Sequence, residues 1–151
     1  MSEPNLSRSD ERRGAVWLMH WLRGDYAAAR MVEEEGWIAP LSVHRAAAAA
    51  APELGTHRNQ CADRLAFALA SFTHEVYRHA GWWLAHVLRR DYATAERAHA
   101  DGPVEAPAVV AMLHLASPQF ARDADGCDDR LAAYVRRLVE FEHDIDRDAE
   151  G

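Results

Sequence analysis

Two histidines and two cysteines stand at matching places in this chain of 151 residues. His20 and His86 each lie three residues after a tryptophan, and Cys61 and Cys127 each begin the sequence C-x-D-R-L-A. Paired histidines are candidate metal ligands, but a closed metal site needs about four ligands. A thiol near a helix start can have a lowered pKa and act as a redox sensor, although a buried cysteine is also simply a small apolar side chain. A metal- or thiol-dependent sensor or enzyme using these four residues is therefore one alternative, while no catalytic residue, metal ion or cofactor is assigned.

Two other spacings fall short of known metal motifs. Residues 74–79 read H-E-x-x-x-H, one residue longer than the zinc-binding H-E-x-x-H, so the two histidines do not share a helix face. Glu140 and His143 have the spacing of a di-iron helix, but the matching positions in the first half are His74 and Tyr77. A complete paired di-iron set is therefore not predicted.

The chain repeats itself at a distance of 66 positions without a gap. The pattern W-L-x-H-x-L-R-x-D-Y-A-x-A begins at Trp17 and again at Trp83, and C-x-D-R-L-A follows in both halves. Gly36 returns as Gly102 and a proline at 52 returns at 118. A repeat of this length predicts two structurally equivalent units packed together.

Helical patterns cover nearly the whole chain, because β-branched residues are sparse and no alternating strand pattern is sustained. The prediction is an all-α fold of eight helices, arranged as two tandem four-helix units with pseudo-twofold symmetry. Residues 1–10 are predicted as a flexible tail with Ser9 or Asp10 as the first helix cap, 11–147 as one domain with units 15–80 and 81–146, and 148–151 as a frayed end. Glycines and prolines set the expected helix limits, which are 11–23, 26–35, 41–51, 58–79, 82–90, 91–101, 104–116 and 126–147.

Composition excludes several functions. A net charge of −7 argues against a nucleic-acid-binding surface. All 17 basic residues are arginine, so neither a Walker A motif nor a Schiff-base lysine is possible. The polar N-terminus is not a secretory signal, and no apolar stretch reaches the length of a membrane span. We expect a cytoplasmic protein with no membrane partner, and the arginine and alanine usage indicates a GC-rich bacterial genome.

The stretch from Leu22 to Gly36, L-R-G-D-Y-A-A-A-R-M-V-E-E-E-G, followed by Pro40, resembles part of the Clp ATPase N-terminal domain. That family is a tandem all-α duplication of eight helices. The resemblance implies a domain that docks peptides, adaptors or cyclic-peptide ligands without catalysis, with a Clp-type protease component or its substrate as a partner. The family's Gly-Thr-Glu-His signature is replaced here by A-G-W-W at 80–83, and no long helix precedes Trp17. The G-D-Y-x-x-A pattern also resembles tetratricopeptide and ankyrin hairpins, so a helical adaptor of that kind is a further alternative.

Three tryptophans interrupt the repeat, because no tryptophan stands at their matching positions: Trp21, Trp37 and Trp82. Matched positions serve the shared fold, whereas unmatched ones show where one unit has specialised. Tryptophan is enriched in interaction hot spots. The sequence therefore predicts a non-enzymatic binding module that uses these tryptophans to recognise a protein, a peptide or a peptide-like small molecule at the groove between the units.

Overall fold

The computed structural model describes residues 3–150, with side chains described for residues 3–140. Helix is the only regular secondary structure in this part of the chain, which contains ten helices. None of these helices combines the length and the hydropathy that crossing a bilayer requires. In order they are α1 (Arg8–Leu22), α2 (Tyr26–Glu35), α3 (Pro40–Ala50), α4 (Glu53–Thr56), α5 (Arg58–Leu69), α6 (Glu75–Leu88), α7 (Tyr92–Asp101), α8 (Ala106–Ala116), α9 (Pro118–Arg122) and α10 (Ala124–Glu150).

Side-chain caps set several helix starts. The Asp25 carboxylate accepts a hydrogen bond from the Ala28 amide at 3.1 Å, and Asp91 does the same at the start of α7, so α2 and α7 begin at Tyr26 and Tyr92. The first helix begins at Arg8, earlier than predicted, because the Ser7 hydroxyl accepts from the Asp10 amide at 3.0 Å. Ser7 therefore takes the capping role predicted for Ser9 or Asp10.

The predicted helix over 58–79 is wrong. Helix α5 ends at Leu69, and the chain is not α-helical again until α6 begins at Glu75. Gly81 lies inside α6 rather than after a helix end. A Cβ at this position would come within 2.3 Å of Leu69 Cδ2 and 2.9 Å of Met112 Sδ. This glycine allows close packing of α5, α6 and α8, and the predicted boundary between residues 80 and 81 falls inside α6.

Two short helices account for the difference between eight predicted helices and the ten observed in residues 3–150. Helix α4 follows Pro52 and helix α9 begins at Pro118, two prolines that are predicted only as helix ends. Proline has no amide hydrogen to donate and a φ suited to a first turn, so it also begins helices. Each proline ends one helix and opens the next.

Helices from the two halves of the chain pack against each other. Helix α1 packs against α2 and α3, and α6 packs against α7 and α8. Helix α5 packs against α6 and α8, whereas α10 packs against α1 and α3. The last long helix of each half therefore lies on the opposite half, and α3 meets α8 between them.

Matching hydrogen bonds join the two halves. Arg64 in α5 donates to the Ala116 carbonyl at the end of α8, with an Nη1–O distance of 2.7 Å. Arg130 in α10 donates from Nε to the Ala50 carbonyl at the end of α3, at 2.6 Å. These carbonyls belong to the last turn of their helices, where no partner exists within the helix. Each half thus caps a helix of the other.

Candidate binding groove

Aromatic side chains fill the surface between α1 and α2. Trp17 is fully buried and donates from Nε1 to the Glu33 carboxylate at 2.9 Å. Trp21, one turn later, stacks on Trp17 with ring centroids 5.0 Å apart. The Tyr26 ring meets Trp21 edge-on at 4.7 Å. Trp21 therefore occupies the space between the end of α1 and the start of α2.

The matching surface between α6 and α7 is open. Trp83 and Tyr92 occupy the places of Trp17 and Tyr26, and both are buried. Val87 stands where α1 carries Trp21. Because valine supplies no ring, a cavity of about 150 Å³ remains, lined by Trp83, Val87 and Tyr92 on this side.

The first half of the chain supplies the other wall of this cavity. Trp37 and Leu41 line it, and the Trp37 ring lies 5.9 Å from the His99 ring of α7, between ring centroids. Trp37 remains 64% exposed although it borders an apolar cavity. We call this site the apolar groove and define it by Trp37, Leu41, Trp83, Val87, Tyr92 and His99.

The N-terminal segment forms one edge of the apolar groove through Pro4 and Leu6. Arg45 in α3 holds this segment by donating from Nε to Glu3 at 3.1 Å and from Nη2 to the Pro4 carbonyl at 3.0 Å. Arg45 also pairs with Glu11 of α1. The segment is therefore tied to α1 and α3 at the point where it borders the groove.

A second cavity of about 340 Å³ lies on the other side of Trp37. Glu33 and Glu105 line it, together with Pro103 and Pro107. We call it the acidic cleft and define it by these four residues and Trp37. Since Trp37 lines both cavities, the apolar groove and the acidic cleft meet at this residue.

Comparisons of this chain with protein-family models, with curated proteins and with solved structures found no match. The chemistry of the site is therefore argued from its residues. Of the three tryptophans predicted for partner binding, Trp37 lies in the groove. Trp21 packs in the counterpart position of the other half, and Trp82 is 38% exposed and lines neither cavity. The structure does not bring the three together, and binding by Trp21 or Trp82 stays a prediction.

The histidines of the metal alternative lie near helix ends. His86 Nδ1 is 3.4 Å from an Asp91 carboxylate oxygen, and His20 is in the last turn of α1. Among the residues with described side chains, no group of three or more histidine, cysteine or acidic residues is placed to hold a metal ion. The Glu140 and His143 spacing is not tested, because the His143 side chain lies outside the described residues.

The two cysteines are free thiols in the core. Cys61 Sγ donates to the Glu53 carbonyl at 3.8 Å, and Cys127 Sγ donates to the Gln119 carbonyl at 3.6 Å. Burial raises the pKa of both thiols above the usual value. The neutral thiol is therefore favoured, and a reactive thiolate is not.

A polar cavity of about 440 Å³ lies where the start of α5 meets the end of α6. Three arginines line it, but two of them serve the fold. Arg58 donates to the Leu88 carbonyl at 2.9 Å, and Arg89 donates to Asp63 at 2.8 Å. We therefore prefer the smaller apolar groove as the binding site, because buried apolar walls with a few polar groups at the edge are typical of ligand sites.

Proposed function

We propose that this chain is a non-enzymatic binding module whose apolar groove takes an apolar side chain of a protein, a peptide or a peptide-like small molecule. One observation carries the proposal: the groove is open where Val87 replaces the ring that Trp21 supplies in the other half. Exposed tryptophan beside buried apolar walls is typical of interaction hot spots. The groove belongs to both halves, as expected for a site between two units.

The size of the groove indicates what fits in it. A dry cavity of about 150 Å³ is large enough for benzene, and this groove has about that volume. Pockets for whole drug-sized ligands are roughly 300–1,000 Å³. The groove therefore suits one aromatic or large aliphatic side chain, with the rest of the ligand outside.

The proposal includes a tandem architecture of two equivalent units with pseudo-twofold symmetry. Helices α2 and α7 have bounds 66 positions apart, as do α3 and α8. The reciprocal bonds of Arg64 and Arg130 support the same relation. In this arrangement the repeated residues form the scaffold, and the positions that differ form the site.

The partner follows from the resemblance to Clp ATPase N-terminal domains. That resemblance supports a cytoplasmic peptide- or adaptor-binding role, with a Clp-type protease component or its substrate as the protein that supplies the side chain. A tetratricopeptide- or ankyrin-like adaptor would use the same kind of groove. The metal- or thiol-dependent alternative gains no support, because burial keeps the thiols neutral.

Selection of short random peptides displayed on phage tests this function. We expect the enriched peptides to share one large apolar residue and to lose affinity for Trp37→Ala. Phe67→Ala is the matched control, since Phe67 is 85% exposed and lines neither the groove nor the cleft. Enriched peptides that bind Trp37→Ala as tightly as the unchanged protein would overturn the proposal.

A further inference from the structure

We propose that the occupant of the apolar groove is a peptide segment in which a large apolar anchor is flanked by arginine or lysine. This inference rests on the proposed function and adds the charge of the ligand. Three glutamates lie in the walls of the two cavities that share Trp37. Glu96 lines the apolar groove, and Glu33 and Glu105 line the acidic cleft beside it.

These carboxylates are available to a ligand. All three are exposed, and within the described part of the chain none forms an ion pair with a basic side chain. Glu33 accepts one hydrogen bond, from the Trp17 indole. The net charge of the whole chain is −7, so the surrounding potential also attracts a cationic ligand and repels an acidic one.

The geometry favours an extended chain over a compact small molecule. Trp37 lines both cavities, so a segment anchored in the groove reaches the acidic cleft by passing over the indole. An arginine next to the anchor would lie on the exposed indole face, where a guanidinium is attracted by the ring. Its charge would then be close to the carboxylates of the cleft.

The other half of the chain lacks this combination. Arg30 stands at the position that matches Glu96, and Ala39 at the position that matches Glu105. Trp21 fills the space that corresponds to the groove. Among the residues with described side chains, the apolar opening and the acidic edge therefore occur together on this surface and not on its counterpart, and we expect one bound segment per chain.

Fluorescence anisotropy with synthetic peptides of equal length tests the inference. The peptides carry Arg-Phe-Arg, Ser-Phe-Ser, Glu-Phe-Glu or Arg-Ala-Arg in a neutral Gly-Ser frame. Exposed ion pairs are individually weak, so we expect the arginine-flanked peptide to bind about tenfold more tightly than the serine-flanked one at low salt. Added salt should reduce that ratio, and the peptide without phenylalanine should not bind.

The triple variant Glu33→Gln/Glu96→Gln/Glu105→Gln should bind the arginine-flanked and serine-flanked peptides equally. Its matched control, Glu75→Gln/Asp125→Asn/Glu140→Gln, removes three exposed charges that line neither cavity and should keep most of the preference.

The outcomes separate this inference from the proposed function. Equal binding of the three phenylalanine peptides, still lost in Trp37→Ala, would overturn the cationic flank and leave the groove intact. If phenylalaninamide bound as tightly as the arginine-flanked peptide, the flanking residues would add no affinity, and the inference that the ligand is a peptide segment would be overturned. Binding of the arginine–alanine peptide as tight as that of the arginine–phenylalanine peptide would overturn both the anchor and the proposed function.

Discussion

The surfaces between α1 and α2 and between α6 and α7 share the same framework but differ in what they leave open. Both carry a buried tryptophan, and a tyrosine at the start of the second helix. In the first, Trp21 packs between them, and Tyr26 is 56% exposed. In the second, Val87 leaves a cavity, and Tyr92 is only 6% exposed. The two surfaces therefore differ in the size of the side chain at this position and in the burial of the tyrosine.

A hydrogen bond from another helix also distinguishes Tyr92 from Tyr26. Arg58 in α5 donates from Nη2 to the Tyr92 hydroxyl at 3.2 Å. Alanine stands at the matching position, 124, and has no such group to offer Tyr26. Tyr92 is therefore held as a fixed wall of the groove, while Tyr26 remains at the surface.

Val87→Trp should have the largest effect, because it removes the difference between the two surfaces. The new indole would occupy the groove as Trp21 occupies its counterpart, so we expect loss of detectable binding of the phenylalanine peptides. Anisotropy measures the binding, and circular dichroism checks that the variant remains folded. A folded Val87→Trp protein that still binds would place the site elsewhere.

Trp21→Val makes the opposite exchange in the first half. Trp21 is partly buried against the core and stacks on Trp17, so its removal should lower the free energy of unfolding by roughly 2 kcal/mol. Urea denaturation measures the loss. Peptide affinity at the α6–α7 groove should stay unchanged, and a parallel loss of affinity would mean that the two surfaces are not independent.

The two halves also differ at one pair of matching core positions, where the first half has His44 and the second has Val110. His44 is buried, and its Nδ1 has no hydrogen-bond partner among the described residues. Burial, with Arg58 and Arg45 nearby, lowers its pKa from 6.5 to about 3. The unfolded chain then binds more protons than the folded one below about pH 6.5, so stability is full above that pH and falls towards pH 3.

The slope that His44 adds should be at most about 1.4 kcal/mol per pH unit. His44→Val, which copies Val110, should flatten it between about pH 6.5 and 4.5, where ordinary carboxylates are still mostly ionised. Denaturant titrations at several pH values measure the slope. An unchanged slope in the variant would assign the dependence to other groups.

Arg64→Ala and Arg130→Ala give the smallest expected effects and test the likeness of the two halves. Each removes a bond to a helix-end carbonyl of the other half and a weaker one to a cysteine sulfur. Arg130→Ala also removes an exposed ion pair with Asp123, which contributes little, so each variant should cost about 1 kcal/mol of unfolding free energy. Urea denaturation of both variants compares them directly. Losses that differ by more than about 1 kcal/mol would show that the halves are not held equivalently.

Sequence patterns predict much of the fold where local residues decide it. The bounds of α2 are as predicted, because Asp25 caps its start and Gly36 follows its end. The helix end predicted at Gly81 was wrong, since this glycine signals a helix end locally but instead allows a close approach to Leu69 and Met112 inside α6. That contact depends on residues distant along the chain and is not readable from a helix pattern.

The groove was predicted only in part for a similar reason. Trp37 was singled out as a break in the repeat and does line the groove. Val87 was missed although it is the residue that matches Trp21 in the repeat. A valine in a helix is an ordinary core residue, and the sequence alone does not show that its small size leaves a cavity. The difference in burial between Tyr26 and Tyr92 was also missed, since it depends on Arg58 from a different helix.

The indole region of a ¹⁵N–¹H NMR spectrum tests the central claim most directly, because the tryptophans report on both surfaces at once. Titration with the arginine–phenylalanine–arginine peptide should shift the Nε1–H signals of Trp37 and Trp83, which line the groove. The signal of Trp21, on the filled counterpart surface, should stay in place, whereas Trp17 is no control because its Nε1–H donates to Glu33 of the acidic cleft. A shift at Trp21 with none at Trp37 and Trp83 would contradict the account.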